Sequence, residues 1–184
     1  MSILIKKATV IITGILIILF ALGYCRINRQ FPRAEVQMTS MNNQTEYFDD
    51  VYITVNSAKF LTKDESKSYQ QKFIDEPLYE KRHIEIIIKI ENKSNLEKEA
   101  HLYNLNLETP NGYHASAAFV EFEKEDSNEF LVHHLLPGEK RTIKMIFPIL
   151  LYLFPEDGQH VEEECFYLTY DLYPIKRTLE LNME

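Results

Sequence analysis

From about Asp50 onward the chain alternates apolar and polar side chains with a period of two, the signature of half-buried β-strands. Val51, Ile53 and Val55 fall on one face, Tyr52 and Thr54 on the other. Asn56-Ser57 interrupts the alternation, as a bulge does, before Ala58 and Phe60 resume it. The clearest strand runs from His83 to Glu91. There Ile84, Ile86, Ile88 and Ile90 alternate with Glu85, Ile87, Lys89 and Glu91, and Ile87 makes the second face partly apolar, as in a central strand. Asn92-Lys93-Ser94-Asn95 closes it with turn chemistry. Further strands are predicted over Glu99–Leu107, Tyr113–Phe122, Glu129–Leu135, Arg141–Phe147, Cys165–Tyr173 and Ile175–Asn182. Pro110-Asn111-Gly112, Leu136-Pro137-Gly138-Glu139 and Pro174 punctuate them. Residues 63–81 are charged and irregular, with room for a short helical turn at Ser66–Phe73 ahead of Pro77. About seven or eight short strands with turns between them, and no amphipathic helix, define an all-β chain folded as an antiparallel β-sandwich.

The N-terminus breaks this pattern. Ala8 to Tyr24 contains no charged residue. As a helix it would span roughly 26 Å, near the lower end of what crosses a bilayer. Lys6 and Lys7 precede it and Arg26, Arg29 and Arg33 follow, so the positive-inside rule is nearly balanced. The favoured reading is one retained N-terminal transmembrane helix that meets the lipid bilayer through residues 8–24. A secretory signal cleaved after Ala21-Leu22-Gly23 is a second. A lipidated Cys25 is a third, with Leu22 well placed for it and Tyr24 too bulky. All three put the domain on the extracytoplasmic side of the cell membrane. The expected order is an anchor or signal helix at 1–25, a polar stalk at 26–49 with room for a short strand near Glu35–Met38, and the sandwich at 50–184.

Charge sharpens this division. Residues 1–33 hold five basic residues and no acidic one, which leaves 15 basic against 28 acidic residues in the remainder, a formal −13. A domain that acidic repels polyanions, so nucleic acid is excluded as a partner. Cys25 and Cys165 form no disulfide framework, and Cys165 beside Phe166 is expected as a small buried residue. The fold must rest on its core.

Little in the chain points to chemistry. His83, His101, His114, His133, His134 and His160 form no helical ligand pair, and the adjacent His133 and His134 face opposite sides of a strand. Glu162-Glu163-Glu164 near His160 reads as a solvated face. No nucleophile elbow or phosphate-cradling loop is present. No catalytic, cofactor-binding or metal-binding residue is therefore assigned, and no cofactor is expected. Asn43-Gln44-Thr45 and Asn92-Lys93-Ser94 match a glycosylation triplet, the second doubling as a turn. The informative segment is Ile149-Leu150-Leu151-Tyr152-Leu153-Phe154 between Pro148 and Pro155. It is either a core strand or an exposed loop that docks a partner through Leu150, Leu151, Tyr152, Leu153 and Phe154. In the docking case Leu151→Asp would weaken binding without loss of folding.

Three stretches carry a resemblance: ITVNSAKFLT (53–62), IEIIIKIENKSN (84–95) running into its Asn-Lys-Ser turn, and LLPGEKRTIKMIF (135–147) with its Leu-Pro-Gly-Glu turn. In this order behind a membrane segment they resemble a telokin-like, immunoglobulin-like domain of unknown function from membrane-anchored envelope proteins of low-GC Gram-positive bacteria. The likeness covers about residues 50–182. It implies an immunoglobulin-like antiparallel β-sandwich, an extracytoplasmic site and no known catalytic residues. The insert 148–164 is longer and more apolar than the resemblance leads one to expect. The expected function is a non-enzymatic module that binds a protein partner, another envelope protein. The alternative is an inhibitor or immunity-type protein acting on a protease or a membrane-active toxin through 148–164. An enzyme is the least favoured class.

Overall fold

The structure, a computed structural model, describes the backbone of residues 2–30, 35–70, 81–117, 119–121, 132–172 and 174–183, and most of their side chains. The chain forms two compact units, Met1–Glu35 and Val36–Glu184.

The first unit is one helix, α1 (Ser2–Gln30). Its described side chains begin at Ile12, and Ile12, Ile15, Leu16, Ile17, Ile18, Leu19, Phe20 and Leu22 are all more than half exposed. Among the described residues no helix is long and apolar enough to cross a membrane. The transmembrane expectation thus rests on the sequence run 8–24 alone.

The second unit is built from strands β1 (Glu35–Ser40), β2 (Thr45–Phe48), β3 (Val51–Phe60), β4 (Lys81–Asn92), β5 (Lys98–His101), β6 (Asn106–Glu108), β7 (His114–Ser116), β8 (Phe119–Glu121), β9 (Val132–Leu135), β10 (Lys140–Leu150), β11 (Phe166–Asp171) and β12 (Ile175–Leu181). One sheet has the order β1-β12-β11-β6-β7, the other β2-β3-β4-β10-β8, and β5-β9 form a two-stranded ribbon. β4 is the spine of the second sheet, antiparallel to β3 on one side and to all of β10 on the other. Its four alternating isoleucines, Ile84, Ile86, Ile88 and Ile90, are fully buried against Leu107, Phe166, Leu168 and Leu179 in the shared core. Burying one such side chain contributes roughly 2 kcal/mol, so this row alone commits β4 to the centre. The bulge expected at Asn56-Ser57 is present as a register shift between Val55 and Ser57.

Four expectations are corrected. The segment 26–49 is not a stalk throughout. α1 runs to Gln30, β1 lies beside β12, and β2 pairs with β3. Asp49 and Asp50, both at positive φ, make the two-residue hairpin turn between β2 and β3. Glu99–Leu107 is not one strand either. Ala100 and Leu102 are buried, and so are Leu105 and Leu107; no single alternation puts all four inside. A 3-10 turn at Leu102–Asn104 resets the parity and moves the chain from the ribbon into the first sheet. Tyr113–Phe122 likewise divides into β7 and β8, which join different sheets. Cys165 is exposed, because Phe166 takes the inward position and its neighbour must point out. Cys25 and Cys165 are both unbridged.

The helical turn expected near Ser66 is α2 (Lys63–Gln70). Thr62 and Glu65 cap it reciprocally, Thr62 N donating to Glu65 Oε2 at 2.8 Å and Glu65 N to Thr62 Oγ1 at 3.3 Å. Pro77 and residues 129–131 lie outside the described residues.

Candidate functional site: an apolar tip and its cleft

The segment between Pro148 and Pro155 is divided by a change of backbone period. β10 carries it to Leu150, with Ile149 buried and Leu150 half-buried. A 3-10 turn then spans Leu151–Leu153. With about three residues per turn, positions three apart share a side. Leu151 and Phe154 accordingly face inward at 9% and 8% exposure, while Tyr152 and Leu153 project at 48% and 54%. The core and docking expectations each describe part of the segment. Leu151→Asp would therefore report on folding, and Leu153 is the position that reports on docking.

Tyr113 fixes this tip. Among the described residues β8 pairs with β10 only at Lys144–Ile146. Beyond that pairing the Tyr113 hydroxyl donates to the Pro148 carbonyl at 2.8 Å and accepts from Leu150 N at 3.2 Å. Pro148 is tolerated within the strand because, among the described residues, no ladder bond on that side asks for its missing N–H. Burial pushes the Tyr113 hydroxyl's pKa up, which keeps it a donor. Phe154 packs on Tyr113 with ring centroids 4.9 Å apart and on Phe166 at 6.5 Å. Phe166 meets Phe60 edge-on at 5.7 Å. Arg82 covers Phe60 at 5.4 Å and binds Glu162 at 2.7 Å. The following loop folds back on the tip. Glu156 and Asp157 sit at φ 53° and 52°, and Gly158 at φ 75°. A Cβ on Gly158 would lie 2.8 Å from Leu151 Cδ2, so the close approach requires glycine.

Between the tip and the β6–β7 turn lies a cleft of about 360 Å³. Asn111, Tyr113 and His114 form one wall; Leu153, Phe154 and Pro155 form the other. Its polar rim is paired. Asn111 Nδ2 approaches the Glu164 carboxylate oxygens at 3.3 and 3.4 Å, and His114 Nδ1 lies 3.4 Å from Glu108. The slot can receive an apolar side chain and offer hydrogen bonds at its mouth. A second cleft of about 390 Å³ beside Arg82 and Glu162 is lined by Phe60, Leu61, Thr62 and Met183. Among the described residues no three His, Cys, Asp or Glu side chains stand close enough to hold a metal. His133 is buried and His134 exposed, on opposite sides of β9. Sequence reasoning passed over Tyr113, Gly158 and the left-handed pair Glu156-Asp157. Only the Gly after two acids hinted at a sharp turn there.

At the other end of β4 the two turns singled out in the sequence meet. Asn92 is fully buried. Its Nδ2 donates to the carbonyls of Leu96 (2.7 Å), Leu135 (2.9 Å) and Leu136 (3.2 Å), and its Oδ1 accepts from Ser94 N (2.9 Å) and Ser94 Oγ (2.8 Å). A folded-state side chain so engaged is no glycan acceptor.

Two packed sheets with an apolar tip at one end and a polar knot at the other make this a β-sandwich protein. No known protein family matches the chain, and no curated protein matches it. Solved structures do. The secreted protein MPT63 from Mycobacterium tuberculosis is 11% identical, with a TM-score of 0.51 over 80% of this chain and 98% of that one. A functionally unknown protein from Listeria monocytogenes is 12% identical, with a TM-score of 0.50 over 77% and 82%. An uncharacterised β-sandwich protein from Clostridium difficile is 16% identical over 81% and 96%, with a TM-score of 0.47. Such identities bear on the fold alone, and the first two carry it.

Proposed function

We propose that this chain is a non-enzymatic, extracytoplasmic interaction module, tethered to the cell membrane through residues 8–24 and binding a protein partner with the Tyr152-Leu153 tip. The observation that carries the reading is the exposure of Tyr152 and Leu153 at 48% and 54% on a turn locked beneath by Leu151, Phe154 and Tyr113. A preorganised apolar pair beside a cleft is the form of a binding hot spot, because little conformational entropy is lost on docking. The uncharged run of residues 8–24 supports the tether. The telokin-like, immunoglobulin-like resemblance supports an envelope setting.

The test uses full-length protein extracted from membranes and checked by mass for an intact Met1–Glu184 chain. A defined membrane protein should co-purify with the wild type, and its recovery should fall at least tenfold with Leu153→Asp while the thermal midpoint stays unchanged. Equal recovery with both forms would sink the docking reading. A mature chain starting at Tyr24 or Cys25 would remove the transmembrane tether and leave the tip untouched.

A further inference from the structure

We propose that the tip and its cleft receive a basic, apolar polypeptide segment, one leucine-like side chain flanked by lysine or arginine. The inference rests on the docking reading above and adds the chemistry of the occupant. The cleft sets Leu153, Phe154 and Pro155 against a mixed wall of Asn111, Tyr113 and His114, so its apolar side fits a single apolar side chain. The segment that leaves it at Pro155 is acidic. Residues 155–164 hold Glu156, Asp157, Glu162, Glu163 and Glu164 and no lysine or arginine. Gly158 presses the loop onto Leu151, which brings Glu156 and Asp157 beside Pro155. Glu164 reaches Asn111 on the opposite wall. Glu162 already binds Arg82, whereas Glu156 and Glu163 stand exposed about His160, 3.7 and 3.0 Å from its ring nitrogens. An apolar slot in a negative rim selects a positive partner, and like charge disfavours an anionic bilayer or a second copy of this chain.

The experiment measures binding of two nine-residue peptides to the full-length chain in nanodiscs of zwitterionic lipid by fluorescence anisotropy. One peptide carries a central leucine among lysines, the other the same leucine among glutamates. The lysine peptide should bind at least tenfold tighter, and more weakly as salt rises. Leu153→Asp should abolish the binding. Glu156→Lys with Glu163→Lys should reduce it at least fivefold, whereas Glu97→Lys with Glu99→Lys, an equal charge change on and beside β5, should not. Equal binding of both peptides, each lost with Leu153→Asp, overturns the charge inference and leaves the docking reading standing. Equal loss from the two double variants overturns the local rim in favour of net charge. Binding untouched by Leu153→Asp overturns both readings, and no binding of the lysine peptide overturns this inference alone.

Discussion

At the scale of single residues, Asn92 contributes most that is specific. Its fully buried amide donates to three carbonyls and accepts from two donors of Ser94. Asn92→Ala removes all five bonds at once. Unmatched buried polar groups cost more than the bonds themselves contribute, so the loss should be about 3 kcal/mol, read as a shift of the urea midpoint. A change of under about 0.5 kcal/mol, the size typical of surface substitutions, would show that water replaces the amide freely. Sequence reading recognised Asn92 as turn chemistry but not as buried, because Asn is common at exposed turns and its partners lie 43 and 44 residues away.

At the scale of elements, β3, β4 and β10 were legible because each shows a period of two against the core, broken in β3 only at the bulge that Asn56-Ser57 announces. The short strands were not. β5 and β6, or β7 and β8, look like one strand until the chain changes sheets, and that change depends on contacts far away in sequence. The tip was half legible. Its apolar run is plain, but which residues face out depends on a 3-10 turn that hydropathy does not reveal. The Tyr113 latch yields an element-level prediction. Tyr113→Phe leaves the Leu150 N–H and the Pro148 carbonyl unpaired, at a cost of about 1–2 kcal/mol. By hydrogen exchange, the Leu150 amide should accelerate at least tenfold more than that of Ile143. Uniform acceleration along β10 would mean that the hydroxyl supports the whole sheet rather than its end.

At the scale of the molecule, charge sets the response to acid. Burial, with Lys81 nearby, holds His83 below its ordinary value of 6.5. The Leu136 N–H, then Arg141, lowers Glu139 below 4.5, and Lys140, then Gln44, lowers Glu91. Each group binds its proton more weakly folded than unfolded. Stability is therefore complete above the unfolded pKa and is lost as pH falls through the folded one. Denaturation midpoints should begin to fall below about pH 6.5 and fall further below about 4.5. His83→Gln should flatten the first stage, and Glu139→Gln part of the second; a midpoint level down to pH 4 would contradict the scheme. The knot at Asn92 also has a hereditary consequence. It joins the Asn-Lys-Ser turn to the Leu-Pro-Gly-Glu turn, 43 residues apart, through its side chain and through its main chain, Asn92 N donating to the Glu139 carbonyl and Gly138 N to the Asn92 carbonyl. Recombination that replaced one turn and spared the other would separate the Asn92 amide from the carbonyls it holds across the turn. The two turns thus behave as a single unit of exchange, able to pass between sandwich proteins together and poorly able to pass apart.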